Sequence, residues 1–240
     1  MTDIPHSSSL YQDLEQFLSN NTQSNFHDVE FFIDNQLVFQ GHRIIFSSRS
    51  SYFRALFLDK VRRGEVLELG VLRVDIQEVE ERVFLEAVRW IYFGYFEKFE
   101  QDDIVGKIEE SFLWRLWHLG NYFELWGLVE EVERVIYRDL MVCQNVCSFL
   151  NYLGEYFEVK VVLSLKQLCE KKIIENFTEI VFNNYHVELK KDIFTALLQN
   201  ESLGLMKTVA MTRWIAYRNP GLIKRKLYIL SNQKKRARTN

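Results

Sequence analysis

The stretch GHRIIFSSRSSYFRALF at residues 41–57 decides the fold, because its pattern is that of a buried helical hairpin. One apolar cluster occupies residues 44–46 and a second occupies residues 52–57, with a serine-rich break between them. Serine side chains accept hydrogen bonds from the free backbone N–H groups that open a helix, so the break predicts the start of a second helix. The pattern contains no catalytic set of residues.

The residues on either side of the hairpin predict a mixed α and β region. Residues 10–18 predict an amphipathic helix whose apolar side consists of Leu10, Leu14, Phe17 and Leu18. Three further elements precede the hairpin, namely a strand at 28–34, a turn at 35–36 and a strand at 37–40. Three more follow it, namely a charged loop at 59–64, strand pieces at 66–76 around Gly70, and a helix at 83–92 that Gly94 closes.

Beyond residue 102 the periodicity is helical throughout, which predicts an α+β region followed by an all-helical region. Six helices are predicted, at residues 104–122, 128–140, 145–156, 160–176, 187–199 and 203–217. The last of them ends before Pro220, because the residue that precedes a proline is displaced from the helical conformation.

The composition indicates a folded protein of a reducing compartment. Of the 240 residues, 48% are hydrophobic and 15% aromatic, which is enough for a dense core. The three cysteines are an odd and sparse set, which argues against a disulfide scaffold. The first ten residues lack the apolar core of a secretory signal, and no apolar run approaches the ~20 residues that span a bilayer. We therefore expect a cytoplasmic or nuclear location and no membrane partner.

The charge is distributed unevenly along the chain. Residues 224–240 hold seven basic residues and no acid, so the chain's net charge of −3 leaves −10 on the rest. An acidic body is a poor surface for phosphates, and we expect no nucleic-acid partner there. The basic string KKRAR predicts a nuclear-localisation signal, with a solvated tail as the alternative. Its basic residues are Lys234, Lys235, Arg236 and Arg238.

Neither a catalytic nor a metal site is predicted, and no cofactor is expected. Cys143 and Cys147 are four residues apart, but Cys169 and the nearest histidines, His118 and His186, do not complete a zinc-binding spacing. The thiols are interpreted as core residues. The sequence also lacks the nucleophile elbow and the glycine-rich phosphate loops, so the protein is predicted not to be an enzyme.

Two further groups of residues are interpreted as structural. The ring of His42 is expected to bind backbone near the junction of strand and helix. The dense aromatic series is assigned mainly to the core, with a groove for a partner as the alternative, since Trp and Tyr are frequent hot-spot residues. Its members are Trp114, Trp117, Tyr122, Phe123 and Trp126.

Several separated motifs resemble, in the correct order, those of BTB/POZ domains. They are Asp28-Val29, Gly41-His42-Arg43, Ser50-x-Tyr52-Phe53-Arg54-Ala55-Leu56-Phe57, Arg73-Val74-Asp75-Ile76 and Ile91-Tyr92-x-Gly94. The resemblance implies a BTB/POZ domain at residues 1–140, with a small sheet flanked by helices. Residues 141–220 resemble the all-helical BACK domain, and residues 221–240 form the basic tail. Kelch repeats, which are common in longer relatives, are not recognised in this sequence.

The resemblance implies a protein-interaction adaptor that forms homodimers. The family's dimer interface corresponds here to Leu10, Leu14, Phe17, Leu18, Asp28 and Arg43. The stripe on the first helix needs a partner for its apolar side, and a second copy is a natural one. Asp28 and Arg43 resemble the family's semi-buried charged pair.

Many such adaptors hold a cullin–RING ubiquitin ligase and recruit an unknown client protein. The residues predicted to face a cullin are Phe57, Val61, Arg62, Arg63, Glu65 and Tyr122. Cullin-binding relatives tend to carry an apolar-x-Glu pattern, and the corresponding residues of this chain are Val61-Arg62-Arg63. Glu65 could take the place of the family's glutamate only if the loop shifts by two residues. Two hypotheses therefore stay open: a ligase adaptor, or a non-ligase BTB scaffold or transcription-associated regulator.

Overall fold

The structure is a computed structural model that describes residues 27–65, 70–95, 107–156 and 162–219. The chain divides into two compact units. Within the described ranges, the first contains residues up to 95 together with 110–134, and the second contains 107–109 and the residues from 135 onward. The helix predicted at residues 10–18, the strand piece before Gly70 and the basic tail lie outside the described residues.

A three-stranded sheet forms the first unit's base. Strands β1 (Val29–Ile33), β2 (Gln36–Gly41) and β3 (Leu72–Ile76) are arranged in the order β2-β1-β3. β1 pairs antiparallel with β2 and parallel with β3. Val29, Phe31 and Ile33 alternate toward the core, as the period of two in a strand requires.

The turn between β1 and β2 lies one residue earlier than predicted. Asp34 and Asn35 form it, with φ angles of 49° and 64°. Two consecutive positive φ angles characterise the type I′ turn that matches the twist of a hairpin, and Asp and Asn tolerate this conformation better than most residues.

The predicted helical hairpin is confirmed as α1 (Arg43–Arg49) and α2 (Ser51–Arg62). Ser50 separates the two helices, and its Oγ accepts a hydrogen bond from the N–H of Phe53 at 3.0 Å. Helix α2 continues through Asp59 to Arg62, so the prediction of a charged loop over residues 59–64 is wrong for its first four residues. An ion pair of 2.8 Å between Arg63 and Asp59 supports the last turn, and the helix gives way only before Gly64, whose φ is 74°.

The core of the first unit is a cluster of phenylalanine rings. The ring of Phe31 lies 4.6 Å from Phe46, 5.7 Å from Phe53 and 5.3 Å from Phe84, measured between centroids. Helix α3 (Glu81–Phe93) contributes Phe84, and Gly94 ends this helix with a φ of 75°, as predicted. The sheet and helices α1, α2 and α3 therefore share one core.

Two more helices of the described residues lie mainly in the first unit. The helix predicted at residues 104–122 begins only at Phe112, because the Ser111 hydroxyl caps it by accepting the N–H of Trp114 at 3.1 Å. This helix, α4 (Phe112–Tyr122), is preceded by a 3₁₀ turn at Ile108–Glu110. Helix α5 (Trp126–Val135) follows and runs into a π-helical turn at Ile136–Leu140.

The second unit is helical over its described residues. Its helices are α6 (Val146–Tyr156), α7 (Leu163–Glu175), α8 (Phe177–Phe182), α9 (Lys191–Leu198) and α10 (Met206–Arg218), with 3₁₀ turns at Tyr185–Glu188 and Glu201–Leu203. The helix predicted at residues 187–199 is interrupted at Leu189 and Lys190, both extended. The N–H of Lys190 donates to the Asn151 side chain at 2.9 Å, which compensates for the missing helical bond. Among the described residues, no helix has the length and apolar character needed to cross a lipid bilayer.

Candidate protein-binding surface

The outer side of α2 presents apolar side chains to solvent. Phe53 and Phe57 point into the core from one side of this helix. Leu58, on the opposite side, is 53% exposed. Val61, one turn after Phe57 at the end of the helix, is 46% exposed and lies next to the exposed Arg62. Leu58, Val61 and Arg62 occupy helical positions i, i+3 and i+4, so they share one surface. We call these three residues the α2 face.

The structure places the predicted cullin-facing residues in different environments. Phe57 is only 4% exposed and its ring stacks 5.8 Å from Phe53, so this side chain lies in the core and is unavailable to a partner. Val61, Arg62, Arg63 and Glu65 are exposed. The corrected candidate surface therefore begins one residue after Phe57.

Two of these charged residues are already paired within the chain. Arg63 binds Asp59, and the Glu65 carboxylate accepts a hydrogen bond of 2.8 Å from Lys60. That hydrogen bond holds the pKa of Glu65 below its ordinary value. None of the ion pairs seen among the described residues involves Arg62. The α2 face thus offers a positive charge beside its apolar side chains.

Leu58 is not among the surface residues that the sequence predicted. The pattern that could have identified it is the spacing of Ala55, Leu58 and Arg62, which falls on the side of α2 opposite Phe53 and Phe57. An apolar residue on that side of an amphipathic helix must lie in solvent or against a partner.

Tyr122 belongs to a separate exposed site at the other end of α2. Its ring lies 5.3 Å from that of Tyr52, and the two hydroxyl oxygens are 3.4 Å apart. Burial, together with this contact, raises the pKa of Tyr52 to about 12. Tyr52 precedes Val61 by nine residues, which corresponds to about 13 Å along a helix axis. Tyr122 and the α2 face therefore mark the two ends of one helix.

Asp28 and Arg43 form the charged pair that the sequence predicted. One carboxylate oxygen accepts the backbone N–H of Arg43 at 2.6 Å, and the other accepts the guanidinium Nε at 3.0 Å. Because Arg43 is the first residue of α1 and the N-cap residue His42 makes no side-chain cap, Asp28 supplies the cap from the position just before β1. The other predicted dimer residues, Leu10, Leu14, Phe17 and Leu18, lie outside the described residues.

The His42 ring contacts a side chain of α3. Its Nδ1 lies 2.9 Å from the Tyr92 hydroxyl, which also accepts the His42 backbone N–H at 3.1 Å. Burial lowers the pKa of His42, although the nearby Asp28 carboxylate opposes this, and burial raises the pKa of Tyr92. The histidine thus ties the start of α1 to α3 through a side chain.

The three cysteines are free thiols. Cys147 and Cys169 are buried, and burial raises the pKa of the Cys147 thiol to about 12. Cys143 lies in the turn before α6, whereas Cys147 lies within that helix. The described residues contain no group of three or more His, Cys, Asp or Glu side chains that could hold a metal ion.

The aromatic series divides between core and surface. Trp114 and Trp117 are buried and stack 5.0 Å apart, and the indole N–H of Trp117 donates to Glu133 at 3.0 Å. Phe123 is also buried, whereas Tyr122 and Trp126 are exposed. The core assignment therefore holds for three of the five residues.

Comparison with known proteins relates this arrangement to a family. The chain is 29% identical over 104 residues to an ankyrin repeat, bromo and BTB domain-containing protein of Dictyostelium discoideum, a match that covers 43% of this chain and 12% of that protein. It is 23% identical over 186 residues to Kelch-like protein 40 of Xenopus tropicalis, covering 75% of this chain and 27% of that protein. The chain thus spans only a small part of the length of these relatives.

A solved structure and a family model are also similar to parts of this chain. The BTB domain of zebrafish PATZ1 aligns with 58% of this chain and 98% of its own, at 14% identity and a TM-score of 0.41. Residues 17–140, just over half of the chain, match the sequence model of the BTB/POZ domain. This range contains the hairpin, the sheet and the α2 face described above. The chain therefore belongs to the BTB/POZ domain family, a family of protein–protein interaction modules.

Proposed function

We propose that this protein is a dimeric adaptor that binds a partner protein through the α2 face. The observation that carries the proposal is the pair of exposed apolar side chains, Leu58 and Val61, on a helix that Phe53 and Phe57 anchor in the core. A helix that is already rigid loses little conformational entropy when it binds a partner. Most of the free energy from burying these side chains therefore contributes to affinity. Arg62 beside them adds a residue type that is enriched at hot spots.

A cullin is the partner that we propose first. From the resemblance to cullin-binding BTB proteins, we expect the residues near Val61 to correspond to their contact residues. The similarity to Kelch-like protein 40 extends over 186 residues and thus beyond the BTB/POZ match into the helical region. We propose that this helical region is BACK-like and that it, or a further partner, recruits the client of a cullin–RING ligase.

A non-ligase scaffold or transcription-associated regulator is the second candidate. The observation that favours it is the positive charge of Arg63 at the position where cullin-binding relatives carry an acid. A reversed charge at a docking contact opposes binding of the same partner and selects a partner of opposite charge. The basic string at residues 234–238 would suit a nuclear role of this kind.

Binding of the full-length chain to a purified cullin N-terminal domain tests the first candidate. We expect calorimetry to give micromolar or tighter binding, and Leu58→Asp to weaken it by at least about tenfold because a charge replaces a buried apolar contact. Val142→Asp is the matched control, since Val142 is 47% exposed, close to the value for Val61, but lies in the second unit. Absence of binding by both the wild type and Arg63→Glu would exclude the cullin.

The dimer requires a separate measurement. Size-exclusion chromatography with light scattering should give twice the 28.8 kDa of one chain, and the double variant Leu14→Asp/Phe17→Asp should give 28.8 kDa. Leu58→Asp is the control and should stay dimeric, because we assign the α2 face to a different partner. A wild-type mass of 28.8 kDa at micromolar concentration would refute the dimer.

A further inference from the structure

A single row of side chains runs along the outer side of α2 from its first residue to its last. Ser51, Ala55, Leu58 and Arg62 occupy positions i, i+4, i+7 and i+11, a spacing that brings residues onto one side of a helix. All four are exposed. Eleven helical residues correspond to about 16 Å along the axis. We call these four residues the outer stripe; it extends the α2 face toward the start of the helix.

The first end of the outer stripe carries a negative charge that a distant part of the chain supplies. The Ser51 hydroxyl donates a hydrogen bond to the carboxylate of Glu124, which lies 73 positions later in the turn between α4 and α5. The Glu124 side chain is half-exposed. None of the ion pairs within the described ranges involves it, so its negative charge is open to a partner.

The other end of the outer stripe carries the opposite charge. Arg62 is the last residue of α2 and is exposed. The charged residues next to it are paired within the chain, whereas Arg62 takes part in none of the ion pairs of the described residues. The outer stripe thus leads from a carboxylate to a guanidinium.

The middle of the outer stripe is apolar and low. Ala55 has no side chain beyond its Cβ, so a partner can approach the helix closely there, and Leu58 beside it is 53% exposed. The neighbouring Arg54 does not cover this part. Its guanidinium donates hydrogen bonds of 3.0 and 2.8 Å to the Ser47 carbonyl, which holds the long side chain against α1.

The two charges also suit the dipole of α2, because an acid lies near its start and a base at its end. This effect accounts for the charges but not for the exposed leucine between them. Side chains at i, i+4, i+7 and i+11 form a ridge, and ridges of this spacing pack into the grooves of another α-helix. A partner with a base near Glu124 and an acid near Arg62 compensates both charges, whereas a partner of uniform charge is repelled at one end.

We propose that the outer stripe docks an amphipathic helix of a partner protein, with a basic side chain at Glu124 and an acidic one at Arg62. On the partner helix these two side chains lie eleven residues apart, about 16 Å, with apolar residues between them. The proposal rests on the proposed function, because it names the kind of partner that the α2 face accepts. It adds Ser51, Ala55 and Glu124 to that surface.

Three synthetic helical peptides test the proposal against the full-length chain. The mixed peptide has lysine at position i, leucines at i+4 and i+7, and glutamate at i+11 of an alanine-based helix. One control peptide carries lysine at both charged positions, and the other carries glutamate at both. In fluorescence anisotropy at physiological salt, we expect the mixed peptide to bind at least about fivefold more tightly than either control, because each control meets a like charge at one end.

Charge reversal in the protein should change the peptide that is preferred. Arg62→Glu makes both ends of the outer stripe acidic, so the peptide with two lysines should become the tightest, again by at least about fivefold. Glu124→Lys should transfer the preference to the peptide with two glutamates. Glu130→Lys is the matched control. It makes the same change of net charge at an exposed residue of α5, and the mixed peptide should stay preferred.

Three results would overturn the proposal. The first is a mixed peptide that binds no more tightly than the controls, or not at all. The second is an order of affinities that Arg62→Glu leaves unchanged. Both are distinct from failure of the α2 face itself, which Leu58→Asp reports with the cullin domain.

The third result concerns a second copy of the chain. The outer stripe is self-complementary in charge, since two copies related by a twofold axis would place Arg62 of each against Glu124 of the other. A light-scattering mass of the wild type above that of a dimer, reduced by Arg62→Glu, would assign the outer stripe to a second copy instead of a partner protein.

Discussion

The Ser50 hydroxyl connects the helical hairpin to Phe123, a residue 73 positions later in the chain. Its O–H donates a hydrogen bond of 2.6 Å to the Phe123 carbonyl, and its oxygen accepts one of 3.0 Å from the Phe53 N–H. Ser50 is only 1% exposed, so both bonds form away from water. One side chain therefore starts α2 and also fixes the residue that follows α4.

Ser50→Ala should lower the free energy of unfolding by about 2 kcal/mol, because it removes a helix cap and leaves a buried carbonyl without its donor. Urea unfolding followed by tryptophan fluorescence measures this in the first unit, which contains four of the five tryptophans. Ser48→Ala is the control: its exposed hydroxyl donates only to the nearby Ile45 carbonyl, and the loss should stay below about 0.5 kcal/mol. Equal losses in both variants would contradict the role of Ser50.

Gly127→Ala should destabilise the first unit although alanine favours helices. A Cβ at position 127 would lie 2.8 Å from a carbon of the Trp90 ring, which is buried and has the Arg49 guanidinium 5.7 Å from its centroid. Overpacking costs about 1–3 kcal/mol, against a gain of about 1 kcal/mol in helix propensity. We expect a net loss of about 1 kcal/mol in calorimetric unfolding.

Gly154→Ala is the matched helical control for that experiment. A Cβ at position 154 would lie 3.4 Å from the end of the Ile193 side chain, which is an ordinary contact. Only the propensity term then remains, and the variant should gain about 0.5–1 kcal/mol. A gain of similar size for Gly127→Ala would mean that the Trp90 ring moves aside without cost.

Asp28 and Arg43 should couple weakly despite their short contact. Their side chains are 39% and 30% exposed, so solvent screens the ion pair. A double-mutant cycle with Asp28→Ala and Arg43→Ala should give a coupling energy of about 1 kcal/mol or less. Asp28→Ala alone should cost more than Arg43→Ala, because it also removes the cap of α1. The reverse order would show that the ion pair, rather than the cap, matters.

His186 should make the second unit less stable in acid. Burial lowers the pKa of His186 below its ordinary value of 6.5, and the nearby Arg213 acts in the same direction. The unfolded chain therefore takes up a proton first. Stability is complete above pH 6.5 and is lost as the pH falls from there to the lower pKa of the folded state.

Amide hydrogen exchange of α10, with rates corrected for the intrinsic effect of pH, measures this loss between about pH 7.5 and about pH 5.5. His186→Gln keeps a donor near the Ala210 carbonyl but does not titrate, so its protection should fall less over the same range. An equal fall in wild type and variant would assign the pH dependence to other groups.

Local patterns predicted those parts of the fold that local chemistry determines. The serine break at Ser50 and the glycine at Gly94 mark helix ends because a hydroxyl cap and a positive φ are properties of single residues. The strand at residues 72–76 follows from strict alternation, which only a sheet with one buried face requires.

The remaining features depend on partners that are distant in the sequence. Lys190 is extended because the Asn151 side chain accepts its N–H, and no pattern near Lys190 reveals this. The sequence predicted Phe57 as a surface residue instead of Leu58 for a related reason. Both are apolar and adjacent, and only the rotation of α2 against the core decides that Phe57 is buried and Leu58 exposed.

The position of β1 in the middle of the sheet has a consequence for folding kinetics. Its pairing with β2 closes a two-residue turn, whereas its pairing with β3 joins Val29 to Leu72 across 42 intervening residues. Short loops close faster than long ones, so the hairpin forms without waiting for the rest of the unit. The parallel pairing must await α1 and α2, which lie between the two strands in the chain. The slow step of folding in this unit should therefore be the arrival of β3, and changes in β3 should slow folding more than changes in β2.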